Sequence, residues 1–334
     1  EVIPALESVL ERGASVFVLP SDPATVRDEV VAYLRDLGAV THAWQGMDTA
    51  DLQAAVHRAL GWAPTHTCET GAHLSVAAGE REGGTIRAGL EATAAGIARL
   101  QGLRLRYPVF SWDQLPVQEA LHHRYLVGVR TWQTFCERTQ LSLHGWHVVV
   151  VGFGLEGEGI AEAARAFGGV VSVADHDPAR RLEAAYAGWR TGSLDSLAHE
   201  ADLIVTATGR SHVLTTELMS TLRSGCFLLN AGGERDEIDV DALTDRREVI
   251  PFVEQCRIGD RQIYLFAGGA TADLAAGHGE SLNAFDLTQG IMVAGIGLIV
   301  SPELDWPPGV HGLPDHVWRD LASRAAQRGV PAGG

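Results

Sequence analysis

A chain of 334 residues with 46% hydrophobic and 20% charged content can bury a full core, and its length suits two domains better than one. The formal net charge of −16 argues against nucleic acid or an anionic membrane face as a partner, because either polyanion is repelled over most of the surface, and leaves a small neutral or cationic ligand as the better fit. No run reaches the roughly 18 apolar residues of a membrane span and no basic, apolar leader opens the chain, so the expected location is cytoplasmic.

The four cysteines, Cys68, Cys136, Cys226 and Cys256, stand far apart with no C-x-x-C spacing, so buried free thiols are expected in place of a zinc knuckle or a disulfide framework. Nor does any other metal-ligand spacing occur. All 26 Lys+Arg positions are arginine, which excludes any mechanism that needs a lysine amine. The opening at Glu1 instead of methionine points to a preceding N-terminal segment.

In chain order, PALESVLERG reads as a helix ending at Gly13, ASVFVL as a buried strand and ATVRDEVVAYLRDLG as a second helix, an alternation that marks a parallel sheet with helices on its faces. PVQEALHHRYLVGV, residues 116–129, reads as a connecting helix carrying the adjacent pair His122 and His123. A second strand series follows in HVVVVGFG, GVVSVADHD, ADLIVTATG and CFLLNAGG and ends near IYLFAGG; each run is short, β-branched and closed by glycine or a polar residue. The fold class expected is α/β, with two doubly wound, Rossmann-like parallel-sheet domains.

HVVVVGFGLEGEGIAEAARAFGGVVSVADHD carries the dinucleotide fingerprint in its context: strand, G-x-G-x-x-G, helix, strand, acid. Gly152 permits the tight turn, Gly154 lets the backbone approach a pyrophosphate and Gly157 allows close helix packing, with Leu155 and Glu156 opening the helix. Asp175 lies 23 positions after Gly152 (175 − 152), where a carboxylate accepts from the adenosine ribose and repels a 2′-phosphate; NAD is therefore expected, with Arg180 nearby. Thr208 and Gly209 in TATGR and Ala231 and Gly232 in LNAGG end the next strands at the same sheet edge, where ligands of open α/β sheets bind.

GFGLEGEGIA, the acid in VADHDP, TATG, NAGGERDEID and DLAAGHGESLNAFDL together resemble the S-adenosylhomocysteine hydrolase family over nearly the whole chain. The resemblance implies one domain for NAD, residues 125–282, a discontinuous nucleoside domain, residues 1–124 and 283–312, and a C-terminal helix and tail, residues 313–334. In that family NAD oxidises the 3′-hydroxyl of adenosine, the ketone acidifies the 4′ C–H, the 5′ substituent leaves, water adds and the ketone is reduced. The resemblance further implies that Thr93 and Asp273 lie against the coenzyme and Glu1, Asp113, Leu274 and Phe285 against the substrate, with Glu1 on the adenine amino group. It implies a homodimer or homotetramer, with an adenine nucleoside as the ligand.

Against the family pattern, the acid–base set is replaced. Gln118 stands at the catalytic lysine, His122 and His123 at an Asp-Asn pair, Ala92 at a catalytic glutamate, Glu69 and Thr70 at paired aspartates, and Glu280, beside His278, at a late histidine. Histidine can both accept and donate near neutrality, so His122, His123, His278, Glu280 and Glu69 are the candidate acids and bases, with Gln118 a positioning group. This set resembles more particularly the hydrolase-like nucleoside dehydratases of angustmycin biosynthesis, which implies 5′,6′-dehydration of psicofuranine, the adenine nucleoside of a ketohexose, to an exocyclic alkene. The alternatives are S-adenosylhomocysteine hydrolysis with a rebuilt acid–base set and a non-catalytic NAD-binding regulator.

Overall fold

The computed structural model describes residues 2–79, 84–277, 279 and 282–329. Two units divide the chain, one made of residues 1–118 with 281–334 and the other of residues 119–280.

In the first unit, strands β1 (Phe17–Val18) and β2 (Val40–Thr41) form a parallel pair. A separate four-stranded parallel sheet has the order β14 (Gly309–Gly312), β5 (Pro108–Ser111), β4 (Ala88–Glu91), β3 (His66–Glu69). The early expectations hold locally: the helices Ile3–Glu11 and Asp28–Asp36 are each followed by a glycine of positive φ, Gly13 and Gly38. The 18-residue helix Leu282–Ile299 covers the sheet, burying Ile291, Met292 and Ile299 among Leu90, Phe110, Trp112 and Leu313. Apolar as it is, neither it nor any other helix among the described residues is long and apolar enough to cross a membrane. The expected C-terminal helix is Asp315–Gly329 and packs on it through Trp318 and Leu321.

The second unit holds an eight-stranded sheet. Six parallel strands run in the order β8 (Arg190–Gly192), β7 (Val170–Ala174), β6 (His147–Val151), β9 (Leu203–Thr206), β10 (Phe227–Asn230), β13 (Arg261–Phe266), and β12 (Val253–Ile258) and β11 (Thr244–Ile250) extend it antiparallel. The chain order reverses between β6 and β9, the switch point at which such sheets bind ligands beyond their carboxyl ends. Strand periodicity sends Val148 and Val150 to one core and Val149 and Val151 to the other, which is why an unbroken valine run forms the central strand. Cys226 and Cys256 are buried here as free thiols; Cys136 is half-buried and Cys68, contrary to expectation, is exposed at the penultimate position of β3.

The sequence places the first crossing between units at 124/125; the division falls at 118/119, since residues such as His123 and Arg124 are held by the helix Leu155–Ala166 of the second unit. This segment is not an α-helix but a π-helical stretch that leads into the helix Val127–Thr139. It lies against the helix Leu155–Ala166 across two glycines: a Cβ on Gly159 would strike the Arg124 carbonyl, and one on Gly128 would strike the Gly159 carbonyl. Trp132, fully buried, donates from Nε1 to the Ile160 carbonyl (2.9 Å), and Arg124 pairs with Glu158 (2.9 Å).

A buried carboxylate shapes the loop beyond β9. Glu237, with no exposed surface, accepts from the backbone amides of Thr208 (3.0 Å) and Gly209 (2.8 Å) and from the Thr208 hydroxyl (2.8 Å). Burial pushes its carboxyl above the ordinary range, against the opposing pull of these donors.

Gly159→Ala is expected to lower unfolding stability by about 1–3 kcal/mol in urea titrations, because backbone and not a movable side chain meets the added methyl; an unchanged midpoint contradicts the close approach. For Glu237 the native pKa lies above the unfolded one, so the native state holds more protons and wild-type stability declines as pH rises from the unfolded glutamate range, about 4.5, through the native value. Glu237→Gln does not titrate there. The stability of wild type relative to this variant should therefore be greatest at the acid end and decline toward neutral pH; a difference that grows with pH contradicts the assignment.

Candidate coenzyme and catalytic site

The carboxyl edge of the second unit's sheet is built for a dinucleotide. Gly152 takes φ +97°, and a Cβ there would stand 2.5 Å from the Ala207 carbonyl; a Cβ on Gly157 would strike the Gly152 carbonyl. The turn thus folds only without side chains at these points. Gly154 caps the helix Leu155–Ala166 in extended conformation with no side chain over its first turn, so the opening amides are left for an anion, aided by the helix dipole.

Asp175, following β7, is largely buried. It accepts from the Phe153 amide (2.7 Å) with one oxygen and from the Asp177 amide (2.8 Å) with the other, while the His176 ring lies 3.2 Å away. Its carboxylate therefore fixes the glycine turn and keeps acceptor capacity, since each oxygen has two lone pairs, for a ribose hydroxyl. Arg180 is ion-paired with Glu183 at 2.7 Å.

The next two strand ends meet around Asn230. This fully buried side chain accepts from the Gly232 amide (2.8 Å) and the Thr206 hydroxyl (3.2 Å), and donates to the carbonyls of Glu234 (2.8 Å) and Gly269 (3.1 Å). Ala231 and Gly232 are thereby held beside Thr206, and a Cβ on Gly232 would strike Glu237. The Thr208 hydroxyl and the amides of Thr208 and Gly209 all donate to Glu237, so the donors of this strand end shape its own loop. Asp273, buried, and Leu274, exposed, lie on the short helix Ala272–Ala275 of the same unit. Neither Asn230 nor Glu237 was singled out by sequence reasoning. Their partners are 2 to 39 and 28 or 29 positions away, and the only local signal is a polar residue closing or following an apolar strand.

The two histidines of the pair take different surroundings. The rings of His122 and His123 sit edge to face, 5.1 Å between centroids. His123 reaches the first turn of the helix after the glycine turn, with Nδ1 3.0 Å from Glu156 Oε1 and 16% of its side chain exposed. His122 is half-buried beside it.

The remaining expected residues lie in the first unit or outside the described residues. Glu69 ends β3 and accepts from the amides of Leu74 (2.7 Å) and Ser75 (3.1 Å) and from the Ser75 hydroxyl. Burial pushes its carboxyl up. Glu91, at the end of β4 and not singled out from the sequence, accepts from the amides of Gly71, Ala72 and Thr93 (2.9 Å each) and from the Thr93 hydroxyl (2.6 Å). Thr93 also caps the helix Ala94–Gln101 through Gly96, so its hydroxyl serves the fold of this unit. Gln118 is buried and its side-chain oxygen accepts from the Thr288 hydroxyl (2.9 Å). Asp113 is buried after β5 and Phe285 half-buried on the helix Leu282–Ile299. Glu1, His278 and Glu280 lie outside the described residues.

Comparison with known proteins agrees with this construction. Residues 132–279 match the model of the S-adenosyl-L-homocysteine hydrolase NAD binding domain. The adenosylhomocysteinase of Aeropyrum pernix is 32% identical over 295 residues, covering 85% of this chain and 71% of its own. The S-inosyl-L-homocysteine hydrolases of Methanopyrus kandleri and Methanosarcina mazei are 29% and 31% identical, covering 95% and 92% of this chain and 78% of each relative. The coenzyme that the glycine turn and Asp175 accommodate is NAD, and the chain belongs to the S-adenosyl-L-homocysteine hydrolase family.

Proposed function

We propose that the protein catalyses an internal-redox elimination on the sugar of a purine nucleoside, and that the group eliminated is a hydroxyl: the 5′,6′-dehydration of psicofuranine or a close analogue. The observation that carries the hydroxyl reading is Gln118. The family's catalytic lysine position holds a buried amide whose oxygen accepts from Thr288, and an amide neither takes nor gives up a proton. Proton transfer then falls to other groups, with His123 the best placed among the described residues.

NAD bound at the glycine turn supplies a hydride acceptor at the start of turnover and a hydride donor at its end, so none is consumed. The chain's residues must manage the protons. The hydroxyl beside the future alkene loses its proton as its carbon becomes a ketone. The adjacent C–H, acidified by that ketone, gives a proton to a base; the C–O bond one carbon further breaks, and the departing hydroxide takes a proton to leave as water. Restoring the alcohol leaves a net loss of one water. Hydroxide leaves far less readily than a thiolate, so this reaction depends on a general acid, and an imidazole alternating between neutral and charged forms serves both directions of transfer, such a group typically contributing about 10²- to 10⁴-fold. Glu69 and Glu91 have their oxygens on the amides of their own turns, which supports a structural part for these carboxylates.

A second reading, hydrolysis of an S-nucleosyl-homocysteine, is favoured by the kinship with adenosyl- and inosyl-homocysteine hydrolases. There a thiolate leaves and water adds to the alkene before reduction. A non-catalytic NAD-binding regulator is a weaker alternative, because histidines and glutamates, groups able to move protons, stand where the family's acid–base residues are replaced.

The NAD-loaded protein incubated separately with psicofuranine, S-adenosylhomocysteine and S-inosylhomocysteine, followed by mass spectrometry, is expected to remove one water from psicofuranine without net NADH. Release of homocysteine from either thioether, with psicofuranine unchanged, replaces this proposal with hydrolysis and names the base.

A further inference from the structure

We propose that Glu156, expected from its motif among the coenzyme contacts, is a positioning residue. It fixes His123 in the tautomer that carries its proton on Nδ1, which puts the titrating lone pair on Nε2. The inference rests on the catalytic part given above to His123.

A carboxylate only accepts, so the 3.0 Å contact between Glu156 Oε1 and His123 Nδ1 requires the proton on Nδ1. Nε2 is then a lone pair in the neutral ring and an N–H in the charged one, the two states that a proton shuttle alternates between. Glu156 stands in the first turn of the helix Leu155–Ala166, where the helix dipole favours the charged carboxylate. The geometry is held by the contacts that follow it along both segments. One residue on, Arg124 pairs with Glu158 at 2.9 Å, joining the same two segments. Behind that pair, Gly159 and Gly128 bring the backbones together and Trp132 bonds the Ile160 carbonyl. The backbone that carries His123 is thereby fixed against the helix that carries Glu156.

A carboxylate in this first turn adds no donor for a coenzyme phosphate, whereas it gives the imidazole an acceptor. Its presence is therefore better explained by the imidazole than by the anion. This separates positioning from coenzyme binding experimentally.

Glu156→Gln preserves shape but offers His123 an amide of either polarity. In NAD-loaded protein labelled with ¹⁵N-histidine, with the His123 signal assigned by its loss in His123→Asn, wild type should show the Nδ1–H tautomer and E156Q a mixture. On the substrate that turns over, E156Q should lower kcat by about tenfold or more, with KM and NAD affinity within about twofold. In the His123→Asn background the same substitution should change kcat by less than about twofold, because a positioning residue has nothing left to position. An equal loss in both backgrounds, or a loss confined to NAD affinity, overturns the inference. If no tested nucleoside reacts, the proposed function fails by itself. The tautomer still decides this inference without substrate: an Nε2–H form in wild type rejects it.

Discussion

The coenzyme edge depends on one close approach of backbone to backbone. Gly159 lies under the carbonyl of Arg124, and Gly128 under the carbonyl of Gly159, so the stretch that enters the unit and the helix after the glycine turn touch without intervening side chains. Because the approach is set by backbone, it brings His123 within hydrogen-bonding distance of Glu156 and Arg124 within reach of Glu158. Side chains as large as alanine at either glycine would separate these pairs. An imidazole held at the opening of a coenzyme-binding helix is thus a consequence of packing, and the chemistry assigned to it inherits that rigidity.

Buried carboxylates do the complementary work of shaping loops. Glu237 in one unit and Glu69 and Glu91 in the other each sit at or near a strand end and accept backbone amides of a turn that would otherwise bury unpaired donors. Burial pushes all three carboxyls up, and a raised carboxyl is often a mark of catalysis. Here the hydrogen-bond partners give the simpler account, since the oxygens are taken by the chain itself. His123, bonded to a carboxylate that can orient it, is the better candidate to exchange protons.

What was legible in the sequence was local. The valine strand, G-x-G-x-x-G and Asp175 lie within one βαβ unit, and their roles follow from turn geometry and strand periodicity without knowledge of the rest. Gly13 and Gly38 ended their helices for the same reason. What was not legible depends on distant partners. Asn230 reaches 39 residues to Gly269 and Glu237 reaches back 29 to Thr208, so neither announces itself in its own segment. The π-helical geometry of Gln118–Leu126 is imposed by the neighbouring helix and read from sequence as an ordinary helix. The hydroxyl of Thr93 caps the helix Ala94–Gln101 and donates to the buried Glu91, a partnership its motif does not announce. Gln118, a group unable to take a proton, accepts from Thr288, a partner 170 residues away that its own segment does not announce.

The proposed reaction oxidises the substrate and reduces it again within one turnover. Rapid mixing of NAD-loaded protein with psicofuranine, followed by the near-ultraviolet absorbance of reduced nicotinamide, tests it directly. The account predicts that this absorbance rises and then decays as the dehydrated product forms, never exceeding one equivalent per coenzyme site. Product formation with no reduction of the coenzyme at any time would contradict it, as would reduced coenzyme that accumulates and stays.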